Sequence, residues 1–567
     1  MEIGMYKKQL LMQDKALKEK WQARFSKVYG DREFKMTTSS GIPVKPFYTA
    51  SDINDIDYED IGVPGEYPYT RGIYPVHYQF QPWMNEQIHG YGLPEQTRER
   101  MDALSEQGME GYFGGGVHNI VSDLASNAGY DPDDPHAEGW VGQGGVAIYT
   151  VEDMERLIHD LPLDKTNFVW NIQDTSIAML ALYIVAAEKM GFPKEKLRGN
   201  SMNSLYRRWC WDCIGFPPES AFKLMVELIA YCTLEMPQWN TINISGYCME
   251  ESGGSPVHET AFVMATSIAL TEKCMQAGLN PDDFLPRFGF HIAQGNDFLE
   301  NIAKLRAVRR MWAKINKDRF GCSNPRAMQA RMFVQTAGSS LTAQQPLNNI
   351  VRAAFQTLGA ILGGANAVQT DAYDEALSIP TEEAAVLALR TQQIVRHETN
   401  VPNVSDPLAG SYYLEWLTNR IESEAFDLIQ KIDDMGGYIK CWNNGWLSGE
   451  LRKSAYEWRE QVNSGVETVV GVNKYVTGEM QKVPVFSIDE SIGKIAAERV
   501  VKYRNQRDSA RTKSALEDLR QAAIKVDQGT GGEGYLMPAL MDAFRAEATL
   551  GETMEVIKEV FGFSCEQ

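Results

Sequence analysis

From about residue 108 onward the chain alternates short β-type segments with apolar-periodic helical stretches, and the alternation recurs eight times. The β-type segments fall at 111–116, 167–172, 198–203, 241–246, 286–292, 331–337, 367–373 and 400–406. Between them, SAFKLMVELIAYCTLEM (220–236) carries Phe222, Met225, Leu228 and Ile229 at helical spacing. FLENIAKLRAVRRMWAKI (298–315) sets Leu299, Ile302, Leu305, Val308 and Met311 on one stripe, with cations opposite. Eight strand–helix units of this size predict an α/β fold, a (β/α)8 barrel. The alternative is an open doubly wound sheet, which wants a glycine-rich dinucleotide turn after its first strand. GYFGGGVHN at 111–119 does not fit G-x-G-x-x-G.

The ends depart from this rhythm. Residues 1–66 read as a charged helix followed by an irregular arm suited to partner or dimer contacts, 67–435 as the barrel, and 436–567 as a helical extension. A length of 567 residues suits one large barrel with extensions as well as several average domains.

In a barrel, chemistry belongs to the loops after the strand C-termini. That nominates Gly114–Ser122, Asn171–Asp174, Met202–Ser204, Tyr247–Glu251, His291–Asn296, Gln335–Ser339, Asp371–Glu375 and Asp406–Ser411. Gln335-Thr336 and Asp374-Glu375 equally suit helix caps, and His291 an ordinary strand end.

Composition excludes several classes. A net charge of −20 argues against nucleic acid as a partner, because phosphate binding needs a basic face. No apolar run approaches the ~18 residues of a membrane helix. The N-terminus lacks the apolar core and cleavage site of a signal peptide. Eight cysteines are scattered without a framework, as expected of reduced thiols in a cytoplasmic protein. Cys210-Trp-Asp-Cys213 has no second ligand pair, so no metal site is expected.

Several blocks then identify a family. VPGEYPYTRGIYPVHYQFQPW (63–83), GYDPDDPHAEGWVGQGGVAI (129–148), NTINISGY (240–247) and QTAGSSLTAQQPLNN (335–349) resemble the cobalamin-dependent acyl-CoA mutases. So do DEALSIPTEEAAVLALRTQQI (374–394), DPLAGSYYLEWLT (406–418), GVNKY (471–475) and YLMPALMDAFRAEATLGE (535–552). The family includes methylmalonyl-CoA, isobutyryl-CoA and 2-hydroxyisobutyryl-CoA mutases. The resemblance implies a barrel whose bore holds an acyl thioester, with adenosylcobalamin over the C-terminal mouth starting a radical 1,2-rearrangement. The cobalt-ligating string Asp-x-His-x-x-Gly is absent. The resemblance therefore implies a large, substrate-binding subunit, whose cobalt is ligated by a separate small cobalamin-binding subunit, with large subunits paired in a heterotetramer.

Carried over residue by residue, the cofactor side of the family pattern is largely kept. Glu251, Gln335 and Glu375 match positions at the adenosyl ribose or corrin. Asp371 replaces an asparagine there, and carboxylates suit ribose hydroxyls. Gly115 and His118, in a stretch longer than its counterpart in relatives, are expected beneath the corrin, where glycines leave room.

The substrate side is eroded. Gln81 and Glu86 stand where arginines lie along the CoA chain, and Met84 where a threonine does. Ile88 replaces a tyrosine at the migrating group, Val169 and Asn171 replace small hydroxyls, and Met202 replaces a glutamine. The arginine that clamps a methylmalonyl carboxylate falls near Asp212 or Cys213, where a carboxylate would be repelled, so methylmalonyl-CoA is an unsuitable substrate. Arg287, Arg331, Asn240 and Tyr247 are retained, which keeps an acyl-CoA in reach. Cys248 replaces a histidine beside the thioester carbonyl. A thiol is a weak donor, with an ordinary pKa of ~8.5, and a small space-filling cysteine is the alternative. Tyr247, Cys248, Ile88 and Asn171 are the expected lining of the reacting group. The resulting expectation is a mutase acting on an acyl-CoA other than methylmalonyl-CoA. The alternative is cobalamin-dependent rearrangement or methyl transfer on a non-CoA, bulky apolar substrate.

Overall fold

The computed structural model describes residues 6, 8–30, 32–33, 35–109, 111, 115–211, 215–478, 481–529 and 535–564. Its centre is a ring of parallel strands, which we number in chain order. β1 spans 84–89, its ladder interrupted at Gln87 between Met84–Glu86 and Ile88–His89. β2 is Val117–Val121, β3 Asn167–Asn171 and β4 Arg198–Ser201. β5 spans 239–245, interrupted at Thr241 between Trp239–Asn240 and Ile242–Ser245. β6 is Phe288–Gln294, β7 Arg331–Thr336 and β8 Ala367–Gln369. One sheet runs β1–β8–β7–β6–β5 and the other β1–β2–β3–β4–β5. Because β1 and β5 each pair on both sides, the two sheets close into one eight-stranded barrel.

Two strands differ from the sequence expectation. The first barrel strand is 84–89, not 111–116, and 400–406 is not a strand: Val401–Asn403 is a short 3-10 turn. The stretch MNEQIH has only Met84 and Ile88 as apolar residues, with Glu86 between them and a polar outward face, which hid it from a pattern search. Residues 110 and 112–114, which include part of the glycine run, lie outside the described residues.

Helices after the strands form the outer layer. Their starts are fixed by caps at the mouth: Ser255 for Pro256–Gln276, Asp297 for Phe298–Asp318 and Thr381 for Glu382–Glu398. Asp374 accepts from the Thr381 amide at 2.9 Å and so braces a cap rather than forming one. Four cations of Phe298–Asp318 are not on a solvent face. Lys304, Arg306, Arg309 and Arg310 are all buried, because Tyr412–Asp434 packs over the helix and supplies Glu415 and Glu422 to Arg306 and Arg310.

The ends wrap the barrel. The N-terminal helix Lys8–Tyr29 sets Trp21 edge-on against Phe47 at 4.7 Å, and Ser40 reaches Glu300 of the barrel layer. At the other end, Leu536–Arg545 and Leu550–Phe561 pack on helix Ser176–Lys189, and Ser509–Asp527 packs on those two. Asp131, in the long loop after β2, accepts from Thr549 and from the Gly551 amide and pairs with Arg504. No helix among the described residues is long and apolar enough to cross a membrane.

Candidate functional site at the barrel mouth

Strand parity decides which side chains face the bore. Phe168 and Trp170 stack beside Tyr183 of the helical layer, and Phe290 packs on Trp312, so their neighbours along β3 and β6 point inward. By the same register the inward set includes Glu86, Asn119, Asn200, Asn243, His291 and Gln369. Barrels of this kind are ordinarily filled by Val, Ile and Leu. A wall of amides and acids is suited to a polar ligand rather than to a packed core.

At the mouth the side chains converge on Gln335, the penultimate residue of β7. Its Oε1 lies 3.0 Å from His291 Nε2. Its Nε2 donates to Tyr247 Oη at 3.1 Å and to Asp371 Oδ1 at 3.0 Å. Both N–H donors and the carbonyl oxygen of the amide are engaged, so its orientation is fixed. Tyr247 Oη also accepts from the Gly338 amide at 3.4 Å. With its lone pairs engaged, the hydroxyl proton is the group left for a ligand.

Tyr247 and Glu251 lie on one helical turn, Tyr247–Glu251, directly after β5. Two contacts hold this turn. Glu251 accepts from the Ser339 amide at 2.9 Å and from its hydroxyl at 3.0 Å. Glu250 pairs with Lys304 at 3.2 Å, and the buried Lys304 also meets Glu259 and the Ala293 carbonyl at the end of β6.

Electrostatics at the mouth are one-signed. Burial, then the neighbouring Glu375 and Glu251, push Asp371 well above the ordinary carboxylate range. Burial pushes Glu251 up to about 7, with Glu250 and Glu375 adding to it. Burial, then Asp374, raises Glu375. Burial and these acids hold the Tyr247 phenol well above 10, so it is a neutral donor. Asp371 Oδ2 is buried without a hydrogen-bond partner among the described residues. These carboxyls, protonated or charged, keep acceptor oxygens such as Asp371 Oδ2 that fit the hydroxyls of a sugar. No group of three or more metal-ligating side chains occurs among the described residues.

The other expected residues separate along the barrel axis. Ile88 is at the mouth end of β1, its amide donating to Gln369 at 2.7 Å. Asn171 ends β3 and the buried Met202 follows β4. At the opposite end lie Met84, Asn240, Arg287 and Arg331, each at the start of a strand or just before one. Arg287 donates to the Trp239 carbonyl and Arg331 to the Pro286 carbonyl. Gln81 lines a small cleft there with Tyr74, His77, Trp83 and Asn366.

Three positions differ from expectation. Gly115 precedes β2 and a side chain there would collide with Lys165 and Thr166, so it lies at the end opposite the mouth. His118 points outward onto Phe168 and His89, in the layer between strands and helices, where burial holds it neutral. The Asp406–Ser411 loop also lies away from the mouth, where Asp406 pairs with Arg306 and Arg71. Cys248 is fully buried among apolar side chains behind the Tyr247 turn, its sulfur 3.6 Å from that of Cys210 and 3.4 Å from the Ser245 carbonyl. Asp212 and Cys213 lie outside the described residues. Sequence reasoning missed Lys304 and Gln369, and it nominated Asn119 only within the stretch Gly114–Ser122. Strand parity, once β1 and β2 are placed correctly, points to Gln369 and singles out Asn119.

Comparison with known proteins agrees with this arrangement. The profile of the family described as methylmalonyl-CoA mutase matches residues 37–563. The chain is 36% identical over 560 residues to the 2-hydroxyisobutanoyl-CoA mutase large subunit of Aquincola tertiaricarbonis, covering 98% of both chains. It is 35% identical to the mitochondrial methylmalonyl-CoA mutase of Homo sapiens, covering 98% of this chain and 73% of that one. With the methylmalonyl-CoA mutase of Rhizobium meliloti (strain 1021) it shares 37% identity over 93% of this chain and 72% of the relative.

Proposed function

We propose, on the premise that the chain belongs to the methylmalonyl-CoA mutase family of isomerases, that it is the large subunit of an adenosylcobalamin-dependent mutase acting on an acyl-CoA other than methylmalonyl-CoA. Coverage of 98% of a relative that is named a large subunit supports the two-subunit reading, with a small cobalamin-binding subunit as partner and paired large subunits. When bound, adenosylcobalamin supplies the radical that starts a 1,2-rearrangement.

The observation that carries the reading is the Gln335 hub. It holds Tyr247, His291 and Asp371 in one bonded unit at the mouth, flanked by Glu251 and Glu375. The acids are positioned to accept from the cofactor's ribose hydroxyls. Tyr247 presents a neutral O–H toward the substrate carbonyl or migrating group. Ile88 and Asn171 line the same end, while Met202 and the backbone behind it close the wall beside β4. At the far end of the bore Arg287 and Arg331 are the cations available to an anionic CoA tail, with Asn240, Met84 and Gln81 beside them. Cys248, behind the turn, fills space.

Methylmalonyl-CoA is disfavoured because the family's carboxylate-clamping arginine falls near Asp212 or Cys213 in this chain. A second reading, a non-CoA substrate, is favoured by Gln81 and Glu86, which stand where the family has arginines along the CoA chain. Titration of the adenosylcobalamin-loaded complex with CoA separates the two. Saturable CoA binding supports the first, and absence of CoA binding beside normal adenosylcobalamin binding overturns it.

A further inference from the structure

Glu86 is a buried carboxyl on the inner wall of the barrel. It sits in register with Gln369 of β8, which is itself in register with Gln335 of the hub. Its side chain is 3% exposed. Its one hydrogen bond among the described residues is from Asn119 Nδ2 to Oε2, at 3.2 Å, and no cation pairs with it. Asn119 Oδ1, beside it on β2, is buried and has no hydrogen-bond partner among the described residues. A buried acid with one neutral partner and an adjacent orphaned carbonyl is costly unless something else completes the bonding.

Among the described residues the surroundings supply no further bonded donor. On β2, His118 turns outward to Phe168. On β8, Gln369 is neutral and gives its Nε2 to Asp371, which lies one step nearer the mouth. Arg98 and Arg100 belong to helix Pro94–Glu106, on the outer side of the sheet. Charged, the carboxyl offers only acceptors, unlike an amide, which keeps a donor end; protonated, it presents one O–H.

We propose that Glu86 and the Asn119 side-chain carbonyl form a specificity-determining acceptor site. The site takes a hydrogen-bond donor, an amide N–H or a hydroxyl, from the substrate chain that passes along the bore. This rests on the reading of the bore as an acyl-CoA channel and adds to it a local polarity: at this level the wall accepts, where the related mutases offer an arginine. An anionic group at the same level is repelled by the charged form of the carboxyl.

The experiment is calorimetric titration of isobutyryl-CoA into the full chain at pH 7, in buffers of different ionisation enthalpy, with Glu86→Gln alongside. Burial raises the Glu86 carboxyl to about 7. A ligand donor that favours the charged form therefore releases a fraction of a proton on binding. The expected result is proton release in the parent protein that is reduced in Glu86→Gln, with affinity lower by about tenfold. Proton uptake that disappears in the variant means that the carboxyl donates to a ligand acceptor, and overturns the proposal. So does identical proton exchange and affinity in the two proteins. Absence of binding to both, with free CoA also silent, instead overturns the acyl-CoA reading, and this assignment falls with it.

Discussion

Tyr247 and His291 lie face to face, their ring centroids 4.8 Å apart and their planes 5° from parallel. Gln335 ties the two rings together, its oxygen at His291 Nε2 and its nitrogen at Tyr247 Oη. One residue from β5, one from β6 and one from β7 thus form a rigid unit whose outward-facing donor is the Tyr247 hydroxyl. The stack fixes the ring plane and the amide fixes the hydroxyl, so the site is organised before any ligand arrives.

Gln335→Leu therefore leaves His291, Tyr247 and Asp371 each short of a buried partner. The expected cost is about 2–3 kcal/mol in urea unfolding. At least a tenfold loss of adenosylcobalamin affinity should accompany it. A variant of unchanged stability that binds the cofactor normally would show that the hub is ornamental.

Lys304 is buried against Glu259 and Glu250, and Lys304→Met strands both acids beneath the Tyr247–Glu251 turn. Removing one partner of a buried ionic group costs about 3–5 kcal/mol. Adding Glu259→Gln should recover part of that loss, measurable as a double-mutant cycle in denaturant unfolding.

Cys248 sits behind the turn and against Cys210. The Cys248→Ala variant is expected to lose about 1 kcal/mol of stability from the small void and to keep turnover within about threefold. A turnover loss above tenfold at unchanged melting temperature would return the thiol to the chemistry.

The Glu86 carboxyl also carries a pH signature in folding. Burial raises it from 4.5 in the unfolded chain to about 7 in the folded one. Below pH 4.5 both states hold the proton and nothing is lost. Between 4.5 and 7 the unfolded chain gives it up first, so stability falls as pH rises, and above 7 the deficit is constant. Glu86→Gln should match the parent near pH 4.5 and exceed it by up to about 3 kcal/mol at pH 8. A constant difference across that range would place the titration elsewhere.

How far the fold could be read from the chain depended on which face of each strand was apolar. β3 and β6, with Phe168, Trp170, Phe290 and Ile292 on their outer faces, announced themselves. β1 did not, because Met84, Glu86 and Ile88 face the bore while Asn85, Gln87 and His89 face the helices. Neither face carries an apolar stripe, and the count of eight was completed with 400–406 instead. The mouth residues on strand ends were legible from family blocks, since Tyr247, Gln335 and Asp371 sit at fixed distances from recognisable motifs. His118 was not, because one residue of parity separates a bore-facing side chain from one facing the helices. The burial of Lys304 and Arg306 was equally hidden. A second helix, Tyr412–Asp434, covers what a single helix presents as its polar face.

The most direct measurement is conversion of isobutyryl-CoA, 2-hydroxyisobutyryl-CoA and methylmalonyl-CoA by the chain combined with adenosylcobalamin and a cobalamin-binding subunit, with the acyl skeleton followed by NMR. The account predicts adenosylcobalamin-dependent isomerisation of a thioester without a free acyl carboxylate and none of methylmalonyl-CoA. Rearrangement of methylmalonyl-CoA, or an unchanged skeleton in every thioester while adenosylcobalamin is bound, would contradict it.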